Sequence, residues 1–369
     1  MSAQPVIDIC TSARVIVTCG TGGVGKTSVA AALGFEIAQQ GKRAIVITID
    51  PARRLADAIG LGEGTGNEIQ RVPLDTTGEL WVTMLDVQET FDSLVRDTSP
   101  TPERAKEVMD NSFYRSLSRS LSGTRDYMAA ERLYDLCEDE RFDVIIVDTP
   151  PSRNALDFLE SPERLARFLK HPIVKFLVAP SRGGFRLVNA AMQPVLKAIS
   201  TVVGGDTLTG TAAFLRAFDG MEEEFSRRAL VVADTLRSSV SSFVIVTAPS
   251  PDALIEANHF VSELSRLGIT LRLIVANRMP PHFGTSTAAE EHSMAQSQSG
   301  DLARVHELIA GLHDDADRAD SDIQAFIQRT SVAFPSVSTA FASELATDIH
   351  DMDSIGALAQ QLAAPPTQQ

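Results

Sequence analysis

Gly20-Thr21-Gly22-Gly23-Val24-Gly25-Lys26-Thr27-Ser28 is the stretch that decides the fold. It follows the β-branched run Val15-Ile16-Val17-Thr18-Cys19 and opens an alanine-rich helical pattern from Val29 to Gln39. Gly20, four residues and then Gly25-Lys26-Thr27 is the spacing of a phosphate-binding loop between a strand and a helix. Glycines let backbone N–H groups turn inward on a polyphosphate, which also meets the positive end of the following helix. Gly22, Gly23, Val24, Gly25 and Ser28 would form that cradle. Lys26 would reach the β- and γ-phosphates, and the Thr27 hydroxyl would ligate Mg²⁺. A ligand-free glycine turn is the bland alternative, but strand, helix and full spacing together favour a nucleoside triphosphate site with Mg²⁺.

Working outward, Ala44 to Ile49 and Val144 to Val147 are continuous apolar runs, the pattern of strands buried on both faces of a parallel sheet. Phe243 to Thr247 and Leu271 to Ala276 repeat it. Four of these runs end in a polar residue or loop suited to chemistry: the glycine loop, Asp50, Asp148 and Asn277. Ligands on α/β sheets lie at the carboxyl ends of the strands, so the agreement is independent of the loop motif. Strands alternating with helices predict an α/β fold with a doubly wound, mostly parallel sheet of the phosphate-loop NTPase type.

Two helical excursions interrupt that alternation. We expect a core over residues 1–86, 142–153 and 238–369 and a helical subdomain over 87–141 and 154–237. Met109, Phe113, Leu117 and Leu121 recur every four residues and predict one apolar helix face. Phe214, Phe218, Met221 and Phe225 predict another. Such stripes are usually core; as a set with Met128 and Met192 they also suit an adaptable apolar groove. Residues 279–301 are polar and carry no hydrophobic period, which predicts a mobile loop. A helix over Leu302 to Leu312, a short strand at Ser331 to Phe334 and a helix near Ser354 to Leu362 complete the expectation.

Composition excludes several classes. The formal charge of −15 over 369 residues argues against sequence-independent nucleic-acid binding through a basic field. Cys10, Cys19 and Cys137 are sparse and form no paired motif, which suits reduced thiols in a cytoplasmic protein. Neither a secretory leader nor an uncharged run long enough to span a bilayer is legible.

The chemistry follows from the strand ends. Asp148 is placed to hold a water in the Mg²⁺ shell, and Asp50 to polarise the attacking water or to bind Mg²⁺ through water. Lys26 and Asp50 are therefore the catalytic candidates, and Thr27, Asp50 and Asp148 the metal candidates. Asn277, with donor and acceptor on one amide, suits either adenine recognition or a strand-end turn. Pro51 after Asp50 and Pro150-Pro151 after Asp148 stiffen segments that would reorder on hydrolysis.

Taken together, Gly20 to Thr27, the Asp50-Pro51-Ala52 segment with Leu55 and Asp57, Asp148-Thr149-Pro150-Pro151, Phe243 to Gly268 and Asn277 resemble the arsenite-pump ATPase family. That family includes the factor that targets tail-anchored membrane proteins, and the chain looks closest to its actinobacterial branch. The resemblance implies that Asp50 positions the hydrolytic water, that Asn277 contacts adenine and that Pro335 lies near the adenine pocket. It also implies a dimer with nucleotides facing across the interface, and an apolar groove for a hydrophobic client, peripheral to the membrane through a partner. Two departures stand out. Thr21 occupies the place of the family's signature lysine, so the natural assembly is either a homodimer with slow hydrolysis or a heterodimer with a paralogue that supplies the lysine. The targeting factors' zinc-binding cysteine pair is missing after Asn277. Beside the hydrolytic switch stand two other readings: the catalytic subunit of an arsenite or anion efflux pump, and a low-turnover regulatory subunit.

Overall fold

The computed structural model describes residues 5–50, 59, 67–111, 114–115, 124–150, 221–345 and 347–364. The chain divides into two compact units, one of Met1–Met84, Glu140–Leu156 and Leu236–Gln369, the other of Leu85–Asp139 and Asp157–Thr235.

The first unit is built on an eight-stranded sheet. In chain order its strands are β1 (Val15–Cys19), β2 (Arg43–Thr48), β3 (Gln70–Arg71), β4 (Glu79–Met84), β5 (Val144–Asp148), β6 (Ser241–Thr247), β7 (Leu271–Met279) and β8 (Ser338–Ser343). Across the sheet the order is β3-β4-β2-β5-β1-β6-β7-β8, parallel throughout except for the antiparallel β3–β4 edge. Every residue of β1, β5 and β6 is buried, as their largely apolar runs require. The winding reverses at β1, so the crevice at its carboxyl end is the switch point where such sheets bind ligands.

Helices α1 (Pro5–Ser12) and α2 (Lys26–Gln39) pack with the last helix, here α10 (Met352–Ala363), over one sheet face. Their buried side chains include Ile9, Leu33, Ile37, Ile355 and Leu358, set against Ile16, Val46, Ile146 and Val244. Gly34 explains how close α2 lies: an added Cβ there would come within 2.7 Å of Leu80 Cδ1 and 2.9 Å of Val46 Cγ2. The sheet thus fixes the direction of α2 and, with it, the loop that starts the helix.

Three elements differ from the expected pattern after β7. The stretch expected as a loop over 279–301 carries α8 (Ala288–Ser297), capped by a reciprocal Thr287–Glu290 box. It has no apolar stripe because its buried residue is Glu291, which bonds His306 on the next helix. That helix, α9 (Asp301–Ala333), runs through the expected strand at Ser331 to Phe334. Leu302, Val305, Ile309, Leu312, Ala316, Ala319, Ile323 and Phe326 form its continuous three-four repeat. Gly311 and the acids from Asp314 to Asp320 disguise its middle in the sequence. The eighth strand lies instead at Ser338–Ser343. Helix α7 (Pro251–Arg266) packs on β6, and α9 packs on α7 and β7.

The second unit contains α3 (Val87–Thr98), α4 (Pro102–Asp110), α5 (Thr124–Glu138) and most of α6 (Glu222–Arg237). Asp86 and Thr101 cap the first two through their side chains. Phe91, Leu94, Val108, Tyr127, Met128, Met221 and Phe225 form its core. Met128 and Met221 are therefore buried packing residues. The expected stripe from Met109 onward does not continue as one helix, because Asn111 is extended at the end of α4. Phe113, Leu117, Leu121, Phe214, Phe218 and Met192, and the two proline-stiffened segments beyond Asp50 and Pro150, lie outside the described residues. Among the described residues no helix is long and apolar enough to cross a membrane.

Candidate active site

The site begins with three strand ends in one row. Register pairs Thr18 of β1 and Thr48 of β2 with Asp148 of β5. Asp148 is fully buried. Its Oδ2 accepts a hydrogen bond from Thr27 Oγ1 at 2.8 Å and another from Thr48 Oγ1 at 3.0 Å. Its Oδ1 has no partner among the described residues. Burial raises the Asp148 carboxyl to about 6, against the hydrogen bonds of Thr27 and Thr48 and the charge of Lys26, which lower it. An unpartnered carboxylate oxygen in a dry site beside a threonine hydroxyl is a set of hard oxygen donors, and it fits Mg²⁺.

The loop is shaped by backbone conformations that glycine tolerates. Gly25 caps α2 with φ 90°, and its missing Cβ leaves room for Asn277, whose Nδ2 would lie 2.3 Å from such an atom. That Nδ2 donates to the Val24 carbonyl at 2.8 Å, so the end of β7 is tied to the loop. Lys26 is buried and its Nζ donates to the Thr21 carbonyl at 2.9 Å. The Thr149 hydroxyl donates to the Thr18 carbonyl at 2.7 Å and holds the turn after Asp148.

A cavity of about 590 Å³ opens at the carboxyl edge of the sheet. It is lined by Gly23, Gly25, Lys26, Thr27, Ser28, Asp50 and Thr149. Asn277, Arg278 and the segment after β8, including Glu344, Leu345 and His350, line it too. The Glu344 N–H donates to the Met279 carbonyl at 2.9 Å and closes that segment against β7. Loop, α2 N-terminus, Asp50, Asp148 and Asn277 therefore converge on one place. Gly22 is an exposed loop residue outside the lining, and Val24 turns its side chain into the core while offering its carbonyl to Asn277.

Pro335 does not join them. Leu273 pairs with Ser338 in parallel register, which places Pro335, before β8 begins, at the amino edge of the sheet. The site lies at the carboxyl edge, where Ser343 to Leu345 and Thr347 to His350 take the place expected for Pro335. The sequence reading missed Thr48, although a threonine two residues before a strand-end aspartate is its signal. It also missed Arg278 and the segment after β8, whose strand it placed elsewhere.

The arrangement, a strand-loop-helix phosphate cradle with a buried carboxylate held by the loop threonine at the switch point of a parallel sheet, is that of a phosphate-loop ATPase. The family model for anion-transporting ATPases matches residues 13–313, and the chain belongs to that family. It is similar over 278 residues, at 23% identity, to a protein of Aquifex aeolicus named as an arsenical pump-driving ATPase, covering 73% of this chain and 64% of the relative. It is 22% identical to the ATPase GET3 of Malassezia globosa, covering 71% and 72% of the two chains. To an uncharacterized protein of Streptomyces coelicolor it is 29% identical, covering 73% of this chain and 63% of the other. The alignments with the Aquifex and Streptomyces proteins thus span a little under two-thirds of those relatives' length.

Proposed function

We propose that the protein hydrolyses ATP at this site and uses the change of nucleotide state to alter its helical unit. The observation that carries the reading is the 2.8 Å contact between Thr27 and Asp148 with the second Asp148 oxygen left unpartnered at the switch point. Lys26 and the N-terminus of α2 hold the β- and γ-phosphates, and Asn277 faces the base. Thr27 and Asp148 would hold Mg²⁺, which supplies charge neutralisation to the phosphates. Asp50 orients a water against the γ-phosphorus; the new P–O bond forms as the bond to the β–γ bridging oxygen breaks, giving ADP and phosphate. The cradle in this reading is Gly22 to Ser28, with Asp50 as the positioning carboxylate.

A dimer that faces two such sites, and a hydrophobic client bound by the helical unit, extend the reading; they rest on the family resemblance. Thr21 favours a second version of it. A neutral hydroxyl cannot supply the cation that the family's lysine brings to the opposite site. A paralogous subunit carrying that lysine would then complete the pair, with this chain turning over slowly by itself.

Phosphate release from Mg²⁺ and ATP is the test. We expect turnover by the wild-type chain, alone or on addition of a lysine-bearing paralogue. In Asp50→Asn it should fall at least a hundredfold with ATP affinity retained. No turnover in either assembly, or full turnover by Asp50→Asn, would overturn the reading.

A further inference from the structure

Arg278 is the non-glycine residue with a left-handed backbone, φ 57°, among the described residues. It sits inside β7, where a strand should be extended. The pairing explains how it is accommodated: Ala276 lies opposite Phe341 and Met279 opposite Ser343, so β7 carries one residue more than β8 at this point. That is a β-bulge, a device that re-aims a side chain at a strand end. A left-handed arginine costs free energy that the surrounding structure must offset, and such positions cluster at functional sites.

The bulge sends its two polar residues to different tasks. Asn277 is buried and bonded to the loop. Arg278 is exposed and lines the cavity. Glu344 and Asp348 line the same cavity, yet Arg278 makes no ion pair with either and no hydrogen bond to any described residue. A guanidinium re-aimed by a bulge onto the cavity, with no partner among the described residues, is placed to meet a ligand there.

We propose that Arg278 is a nucleotide-binding residue that lays its planar guanidinium over the purine face of the bound nucleotide. The chemistry suits the place. The phosphate loop brings its own cation in Lys26, and the same cavity offers Leu345 and Ile349 as apolar wall with Arg278 as the planar donor group. Guanidinium stacks on aromatic faces and is less hydrated than an ammonium, so lysine is a poor substitute. Because stacking uses the ring and not the phosphates, the residue supports AMP and ADP alike.

The inference rests on the nucleotide-site reading, and titration calorimetry with ADP and AMP, neither of which turns over, separates the two. If the wild-type chain binds neither, the site reading itself fails. Where it binds, Arg278→Ala should weaken ADP and AMP by a similar factor, about tenfold. Arg278→Lys should not restore affinity. Arg278→Gly, which accepts the left-handed backbone, should melt no lower than wild type while binding as weakly as the alanine variant. Unchanged affinity in Arg278→Ala, a loss confined to ADP, or rescue by lysine would each overturn the proposal.

Discussion

Asp148 shows most directly what burying an acid costs. Its carboxyl titrates near 6 in the folded chain against an ordinary 3.8, chiefly through burial. A raised acid favours the folded state below 3.8 in its neutral form, and that contribution is lost as the pH climbs to about 6 and beyond. Asp148→Asn never ionises. In the ligand-free chain, its stability advantage over wild type should therefore grow by about 2–3 kcal/mol between pH 4 and pH 8, read from urea melts. The same variant should lose most of its affinity for ATP with Mg²⁺. At this scale the sequence foretold which residues meet, Lys26 and Thr27 by loop spacing and Asp148 by its strand end, and the structure brings them together. The sequence was not legible where a residue acts by register. Thr48 earns its place because β2 and β5 pair one row of residues, so its hydroxyl meets the acid of another strand. Pro335 was misplaced for the converse reason: a strand displaced by a few residues moves it to the other edge of the sheet.

Among the elements, the α8–α9 hairpin is fastened by histidines facing acids. His292 bonds Asp314 at 3.0 Å and faces Glu307 at 3.5 Å, while Glu291 accepts from His306 at 2.7 Å. The bond to Asp314 raises His292, so its contribution is full below its ordinary 6.5 and fades as the pH rises through the raised value. The bond from His306 lowers Glu291, so that contribution is full above 4.5 and fades as the pH falls through the lowered value. Both are present between 4.5 and 6.5. Opening-limited amide exchange in α8, corrected for the intrinsic pH dependence, should be slowest in that window, and His292→Gln should remove the loss on its alkaline side. The sequence hid α8, which buries a glutamate, and the continuation of α9 past Leu312, which buries histidine and alanine before Ile323 and Phe326. The central strands hid nothing, since a run such as Val-Ile-Ile-Val before Asp148 is stable only with both faces covered.

For the molecule as a whole, the α/β class and the parallel sheet were legible from alternation, whereas the strand order was settled by tertiary pairing. Binding should stabilise the sheet unit by mass action, because the site exists only in the folded chain. ADP with Mg²⁺ at a hundred times its dissociation constant should add about 2.7 kcal/mol to unfolding, seen as a higher melting temperature. The cavity draws its walls from Gly23 at one end of the sequence to Leu358 near the other. Its central strand β1 pairs with β5 and β6, which follow it by well over a hundred residues. Consider that span as a matter of time on the ribosome. The loop is among the first parts made, yet its strand β1 has no neighbour until β5 has emerged, and the cavity no far wall until β8 and its following segment have. Nucleotide can therefore reward a finished chain but cannot guide an unfinished one, and any help the nascent protein needs must come from elsewhere.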